Sequence, residues 1–243
     1  MDTTSAIRLY GVGLGPGDPL LVTLAAVRAL EDAALIIAPT SHARQVGRAE
    51  QVVRELLPDR EVLRVPIPMD PGDVGVLARR RVVREFIQQH HLVLEAAGSC
   101  AFVTLGDPVL YSTFSLFVEA LSAERIPVTP EVIPGIPAFL SLASLTTSNL
   151  LDNDERLHLV PGTAGVRAIR DALCDRGSAV VIYKLASNFA AVRSLIAAMG
   201  RQEGTVVGLE LGTDQMQIIA LADAPEAVPY FATLIVPVQR DGR

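Results

Sequence analysis

The first element of the chain and its turn are encoded by residues 7–19, IRLYGVGLGPGDP. The apolar run at residues 7–12 predicts a β-strand. The glycines that follow let the backbone take positive φ values and approach a ligand closely. Asp before Pro is typical of a helix N-cap and first helical residue, so a helix is predicted from Asp18 to about Asp32. The segment therefore predicts a strand, a tight turn and a helix, which is the opening of an α/β sheet.

The spacing of these glycines excludes two common nucleotide-binding patterns. A G-x-G-x-x-G fingerprint beginning at Gly11, Gly13 or Gly15 would need glycine at 16, 18 or 20, where the chain has Pro, Asp and Leu. A P-loop would contain Gly-Lys-Ser/Thr, and the chain has one lysine, Lys184, in another context. The glycine segment alone leaves two readings open: a turn built around a ligand, and a purely structural tight turn.

The same strand–turn–helix pattern continues along the first half of the chain. Further strands are predicted at Leu35–Ala38, Glu61–Val65, Ser99–Leu105 and Val128–Ile133, with helices at Gly47–Leu57, Val74–His90 and Tyr111–Ala123. Alternation of this kind predicts a parallel sheet with helices on its faces.

Beyond Ile136 the pattern changes. Helices are still predicted, but the last strands follow one another with short connections, at Thr205–Leu209, Met216–Ala220 and Tyr230–Val236. Successive strands of this kind predict an antiparallel portion. We therefore predict an α/β fold of two domains, with a mostly parallel sheet in residues 1–126 and a mixed sheet in residues 127–243.

The motif Gly-Asp-Pro occurs a second time, at residues 106–108, again between a predicted strand and a predicted helix. Both copies are thereby placed at the carboxyl ends of strands, where open α/β sheets bind ligands. Asp107 could accept hydrogen bonds from a ligand, and Ser112 and Thr113 could donate to a carboxylate. The alternative is that Asp107 only caps the following helix.

Composition limits the class of protein. The chain has 243 residues, 50% of them hydrophobic, a net charge of −6 and a pI near 5.2, which excludes a globally basic nucleic-acid-binding surface. With only two cysteines, no secretory signal at its start and no apolar run near the roughly 18–20 residues of a membrane span, we expect a cytoplasmic protein that does not bind membranes. The histidines and cysteines lack metal-site spacing, so no metal is predicted.

The positive charge is almost entirely arginine, with twenty Arg and one Lys. A GC-rich coding bias is one interpretation of this excess, and the other is that arginine suits bidentate capture of carboxylates. A run of arginines lies at 79–81 and 84. It is read either as a solvated helix face or as an anion-binding cluster.

Four segments taken together resemble the tetrapyrrole methylases, a family with a two-domain α/β fold that uses S-adenosylmethionine (SAM). They are YGVGLGPGDPLLVTLAAVRAL (10–30), FVTLGDPVLYSTF (102–114), VIPGIPAF (132–139) and VVIYKL (180–185), and the likeness spans nearly the whole chain. GDP followed by YSTF is the form associated with C20-methylation in cobalamin biosynthesis. The resemblance therefore implies precorrin-2, or its cobalt-factor II counterpart, as substrate.

The resemblance also implies a site. SAM is expected in the cleft between the two domains, and the chain is expected to form a homodimer. The cofactor-binding residues that it implies are Gly106, Asp107, Val109, Ser112, Thr113, Pro137, Ala138, Lys184, Leu185 and Thr233. At Lys184 and Leu185 the contact is expected to come from the backbone. Tyr111 is the candidate for positioning or proton handling, its alternative being simple packing on the cofactor loop.

Substrate binding is implied for Pro16 and, because the substrate carries many carboxylates, for Arg44, Arg48, Arg80 and Arg81. A local cluster of arginines could attract such a substrate despite the acidic net charge. Replacing Arg80 or Arg81 is expected to raise KM more than it changes kcat.

Several alternative functions were weighed against C20-methylation. Another corrin position, uroporphyrinogen III or a protein side chain, as in diphthine synthase, could be the methyl acceptor on the same fold. A nucleotide-dependent oxidoreductase is disfavoured by the glycine spacing. A non-catalytic tetrapyrrole carrier would bind porphyrinoids without transferring a methyl group.

Overall fold

A computed structural model describes residues 6–41, 44–68, 72–146 and 149–240 of the chain. It divides the chain into two compact units, Met1–Pro137 and Ala138–Arg243. None of the helices in the described part of the chain is both long enough and apolar enough to cross a membrane.

The first unit is a five-stranded sheet in which every pair of neighbouring strands is parallel. The strand order is β3-β2-β4-β1-β5. The strands are β1 (Ile7–Gly13), β2 (Leu35–Thr40), β3 (Val62–Pro66), β4 (Ser99–Thr104) and β5 (Val128–Ile133). The helices are α1 (Leu24–Asp32), α2 (Arg48–Leu56), α3 (Gly72–Ala97) and α4 (Phe114–Ala123). Separate clusters of buried apolar residues cover the two faces of the sheet, as expected for strands buried on both sides.

The second unit is a mixed five-stranded sheet in the order β6-β7-β10-β8-β9. Only β6 and β7 are parallel, and the other neighbours are antiparallel. Its strands are β6 (Arg156–Pro161), β7 (Ser178–Tyr183), β8 (Val206–Leu209), β9 (Gln217–Ala220) and β10 (Thr233–Val236). Its helices are α5 (Ala138–Leu145), α6 (Gly165–Cys174) and α7 (Phe189–Ala198). The predicted fold class, one parallel and one mixed sheet, is thus confirmed.

The predicted boundary after residue 126 is too early. Strand β5 pairs with β1 over its whole length, from Ile7 opposite Val128 to Val12 opposite Ile133. Because this pairing makes β5 the edge of the first sheet, the first unit ends only at Pro137.

The helix predicted from Asp18 to Asp32 is broken in two. Asp18 caps a single 3-10 turn, Pro19–Leu21, by accepting a hydrogen bond from Leu20 N at 2.8 Å. The backbone is extended at Val22, where ψ is 132°, and so the turn cannot continue as a helix. Thr23 then caps α1 by accepting from Ala26 N at 3.1 Å.

A buried ion pair fixes α2 against the sheet. The Glu50 side chain is 1% exposed and accepts hydrogen bonds from Arg64 Nε at 2.5 Å and from Arg54 Nε at 2.8 Å. Arg64 lies on β3, so the contact joins helix to strand. The bonds from Arg64 hold the pKa of the Glu50 carboxyl below its ordinary value, although burial opposes this.

We expect Glu50→Gln to lower the free energy of unfolding by about 2 kcal/mol at pH 7, because two guanidinium groups lose a buried counter-charge. Since the folded-state pKa is depressed, this stabilisation is complete above the unfolded pKa of about 4.3 and is lost as the pH falls through the folded value. Urea denaturation of wild type and of Glu50→Gln, at pH 7 and in mild acid, measures this. The difference between their free energies of unfolding should be smaller in acid.

Glu85→Gln is the matched control, because Glu85 pairs with Arg81 at 3.5 Å on the exposed face of α3. Its effect should stay within about 0.5 kcal/mol. An equal loss of unfolding free energy in Glu50→Gln and Glu85→Gln would contradict the stabilising role of the buried Glu50 carboxylate. So would a difference between Glu50→Gln and wild type that grows in acid.

Candidate functional site

Three loops of the first unit meet at one edge of its sheet. They follow β1, β4 and β5, which are neighbours and run parallel, so their carboxyl ends share an edge. The loops after β1 and β4 are bonded directly: Gly106 N donates to Gly15 O at 2.7 Å, and Gly15 N donates to Gly106 O at 3.3 Å. Both glycines have positive φ, 68° at Gly15 and 71° at Gly106. The second Gly-Asp-Pro motif therefore begins at this bridge, and the first begins two residues after it, at Gly17.

The third loop comes so close that no side chain fits where it crosses the other two. A Cβ on Gly13 would lie 2.5 Å from Gly135 N and 2.7 Å from Gly106 O. A Cβ on Gly135 would overlap Gly106 O and lie 2.8 Å from Gly13 C. Distances under 3.0 Å are not found for real Cβ atoms, so each position requires glycine or a shift of backbone. Gly13, Gly106 and Gly135 thus form a contact of three backbones.

Asp107 ties the loops together through both of its carboxylate oxygens. Oδ1 accepts from Val109 N at 2.9 Å, and Oδ2 accepts from Gly135 N at 3.1 Å. The alternative reading, in which Asp107 only caps the next helix, is wrong, because α4 begins at Phe114. The carboxylate instead holds the loop after β4 against the loop after β5.

The remaining polar candidates lie between Asp107 and α4. Tyr111 is a non-glycine residue with φ of 52°, a conformation that costs free energy and is commonly kept at functional sites. Burial raises the pKa of its hydroxyl. Ser112 Oγ accepts from Phe114 N at 3.0 Å, Thr113 is the N-cap residue without a side-chain bond, and Val109 is 76% exposed. The predicted helix start at Tyr111 is therefore wrong by one turn, because these residues form a strained loop.

A groove of about 630 Å³ lies beside this loop in the first unit. Its lining is mostly apolar and comes from the loop, from α4 and from the edge strand β5. Among the lining residues are Tyr111, Ser112, Val118, Pro130 and Val132.

The candidate arginines fall into two groups. Arg48 is the first residue of α2 and Arg44 is exposed in the turn before it, so both follow β2 at the same edge of the sheet as the glycine loops. Arg80 and Arg81 lie on α3, where they pair with Glu119 at 3.4 Å and with Glu85 at 3.5 Å. These two glutamates therefore offset part of the positive charge that was expected to bind substrate carboxylates.

The last two candidates of this unit are prolines. Pro16 is buried within the glycine loop. Pro137 is half-buried and is the last residue of the first unit.

In the second unit, the remaining candidates gather at the carboxyl end of β7. Lys184 directly follows the strand with φ of 57°, and the side chain of Leu185 is fully buried. Leu234 lies opposite Ile182, so Thr233 begins β10 at the same end of the sheet. Ala138 begins α5, whose next residue, Phe139, donates its N–H to the Tyr183 hydroxyl at 3.0 Å.

Three neighbours of this group were not identified from the sequence. A Cβ on Gly162 would lie 2.7 Å from Lys184 O, and Asn188 Nδ2 donates to Gly162 O at 2.5 Å. Glu210, directly after β8, has φ of 49°. A glycine after a strand could have indicated Gly162, whereas no local pattern distinguishes Asn188 or Glu210.

Comparison with known proteins identifies relatives along almost the whole chain. The family described as Tetrapyrrole (Corrin/Porphyrin) Methylases matches residues 8–227. The protein named precorrin-2 C(20)-methyltransferase of Sinorhizobium sp is 34% identical over 245 residues, covering 96% of each chain. The cobalt-precorrin-2 C(20)-methyltransferase of Salmonella typhimurium is 26% identical over 238 residues, covering 96% of this chain and 97% of the relative.

Solved structures agree on the fold. Uroporphyrin-III C-methyl transferase from Thermus thermophilus, complexed with S-adenyl homocysteine, superposes with a TM-score of 0.65 at 21% identity, covering 94% of this chain and 96% of that one. The resemblance inferred from the four sequence segments is thereby confirmed. This chain belongs to the tetrapyrrole (corrin/porphyrin) methylases.

Proposed function

We propose that this chain transfers a methyl group from SAM to C20 of precorrin-2, giving precorrin-3A in cobalamin biosynthesis. The observation that carries the proposal is the 34% identity, over 96% of both chains, with a relative named for this reaction. The cobalt-containing substrate is the second candidate, because a relative named for it matches over a similar length at 26% identity. Family membership weighs against the nucleotide-dependent oxidoreductase.

The loops have the properties that a bound methyl donor requires. A Cβ on Gly106 would meet no atom within 4 Å, so its backbone borders open space that a ligand can enter. The donor-binding residues that we propose are Gly106, Asp107, Val109, Ser112, Thr113 and Pro137 in the first unit, and Ala138, Lys184, Leu185 and Thr233 in the second. Because both oxygens of Asp107 accept backbone hydrogen bonds, its main contribution is to fix the loops.

The chemistry asks the protein for alignment more than for reactive side chains. SAM supplies a methyl group on a positively charged sulfur, which is already electrophilic. The C20–methyl bond forms as the methyl–sulfur bond breaks, the electron pair stays on sulfur, and C20 then loses its proton. Holding the reactants in line can contribute roughly 7–11 kcal/mol to lowering the barrier.

Tyr111 is the side chain that we propose for positioning the substrate or handling this proton. Because burial raises the pKa of its hydroxyl, the phenol stays protonated at neutral pH. A protonated phenol donates a hydrogen bond, which favours positioning over proton removal. Pro16 and the groove beside Tyr111 belong to the same proposed substrate region.

Arginines would bind the carboxylates of the substrate. Arg44 and Arg48 share the sheet edge with the glycine loops, which supports them most directly. Arg80 and Arg81 stay candidates with a charge already offset by glutamates. The homodimer and the cytoplasmic location stay predictions.

Incubation with SAM and precorrin-2, followed by mass spectrometry and NMR of the product, tests the function. We expect one added methyl group, located at C20. SAM should raise the melting temperature and NAD should not, since only a ligand of the folded state stabilises it. Methylation of uroporphyrinogen III instead of precorrin-2, or tetrapyrrole binding without methyl transfer, would overturn the proposal.

Gly135→Ala tests the contact of the three loops. Its new Cβ would overlap Gly106 O, so the loops must separate, and we expect SAM to bind at least about tenfold more weakly. Gly177→Ala is the matched control, since its Cβ would make only ordinary contacts, the nearest at 3.5 Å. Calorimetry with SAM measures both. Unchanged affinity in Gly135→Ala would remove these loops from the donor site.

Arg44→Ala is expected to raise the KM for precorrin-2 by about tenfold with little change in kcat, because it removes a charge-assisted contact formed equally in ground and transition states. Arg80→Ala and Arg81→Ala should raise KM by about twofold, since both guanidinium groups are already paired. Steady-state kinetics of the three variants checks this order. An unchanged KM in Arg80→Ala and Arg81→Ala removes those two residues from the substrate site, and an unchanged KM in Arg44→Ala removes Arg44.

A further inference from the structure

We propose that Tyr183 is a positioning residue for the methyl donor: its hydroxyl holds the first residues of α5 beside the turn at Lys184. The inference rests on the proposed function, in which Ala138 and Lys184 bind SAM. Tyr183 was not among the residues that the sequence indicated.

The start of α5 needs a hydrogen-bond acceptor from elsewhere in the chain. The first N–H groups of a helix have no intrahelical partner, and a Ser, Thr, Asp or Asn side chain at the N-cap usually accepts from one of them. Here the preceding residue is Pro137, whose side chain has no acceptor. Phe139 N donates instead to the Tyr183 hydroxyl at 3.0 Å, across 44 residues of sequence. The hydroxyl of a tyrosine on a strand thus caps the N-terminus of α5.

Tyr183 is well placed to be a fixed reference point. It is the last residue of β7 and pairs with Pro161 of the parallel strand β6. On its other side β7 is bonded to β10, where Leu234 lies opposite Ile182. The rings of Tyr183 and Phe139 are also in contact, with centroids 6.4 Å apart and planes tilted by 58°. Because the strand that carries Tyr183 is paired on both sides and its ring contacts Phe139, the hydroxyl has little freedom to move.

The hydrogen bond to this hydroxyl links two of the proposed donor-binding residues of the second unit, Ala138 and Lys184, through their chain neighbours. Ala138 is bonded to Phe139, and Lys184 is bonded to Tyr183. Lys184 keeps a left-handed backbone, φ 57°, which persists only where the surroundings hold it. Loss of the hydroxyl would free the start of α5 to move relative to the Lys184 turn. The effect would fall on donor affinity, because the bond helps to preform the site.

Tyr183→Phe tests the proposal, because it removes the hydroxyl and keeps the ring. We expect the Kd for SAM, and likewise for S-adenosylhomocysteine, to rise by about 3–10-fold, the range that one neutral hydrogen bond supports. The KM for SAM should rise to match, with kcat at saturating SAM within about twofold of wild type. Tyr10→Phe is the matched control, because Tyr10 is also a buried tyrosine, 3% exposed in β1. Removing its hydroxyl should leave the Kd for SAM unchanged.

Amide exchange of Phe139, followed by NMR without ligand, reports the bond itself. Exchange should be faster in Tyr183→Phe than in wild type or Tyr10→Phe, because the amide loses its partner. A lower melting temperature with unchanged Kd and KM would show a purely structural role and overturn the proposal, as would unchanged exchange at Phe139. If wild type itself fails to bind SAM, the proposed function fails with it, while a changed exchange rate would still establish the cap.

Discussion

The site depends on three stretches of backbone that lie too close together for a side chain at Gly13 or at Gly135. Gly13 ends β1, and Gly106 and Gly135 lie just after the neighbouring parallel strands β4 and β5. A Cβ on Gly13 or on Gly135 would lie less than 3.0 Å from the backbone of the other two loops. The strands deliver the loops to one edge, and the glycines then let them touch. Asp107 adds a side-chain bond to the same contact, from Gly135 N at 3.1 Å. The same contact therefore packs the three loops together and shapes the candidate site.

The second unit brings its candidate residues together by different means. There, a tyrosine hydroxyl at the end of a strand accepts a hydrogen bond from the start of a helix. Both units nevertheless keep strained backbone beside their polar groups, at Tyr111 in one and at Lys184 in the other. Strain of this kind persists where surrounding contacts determine the conformation, which is what an alignment-dependent methyl transfer requires.

Much of the fold could be predicted from the sequence, because apolar runs and Gly-Asp-Pro turns are local signals. The predictions are wrong where contacts between residues distant in the chain decide the structure. Nothing within Val128–Ile133 shows which strand it pairs with, so the sequence predicts a domain boundary before this strand, whereas its pairing with β1 puts the boundary after it. The hydrogen bonds of Asp107 to Gly135 and of Phe139 to Tyr183 join residues 28 and 44 positions apart, which no local pattern reveals. The Arg81–Glu85 pair, by contrast, has the i,i+4 spacing that a helix predicts.

The central claim is that the loops joined at the three glycines bind the methyl donor. Hydrogen–deuterium exchange with mass spectrometry, in the presence and absence of SAM, tests it most directly on the whole chain. We expect SAM to slow exchange in peptides that cover residues 104–112 and 134–139. Binding of SAM, established by calorimetry, with slower exchange only in other parts of the chain would contradict the claim.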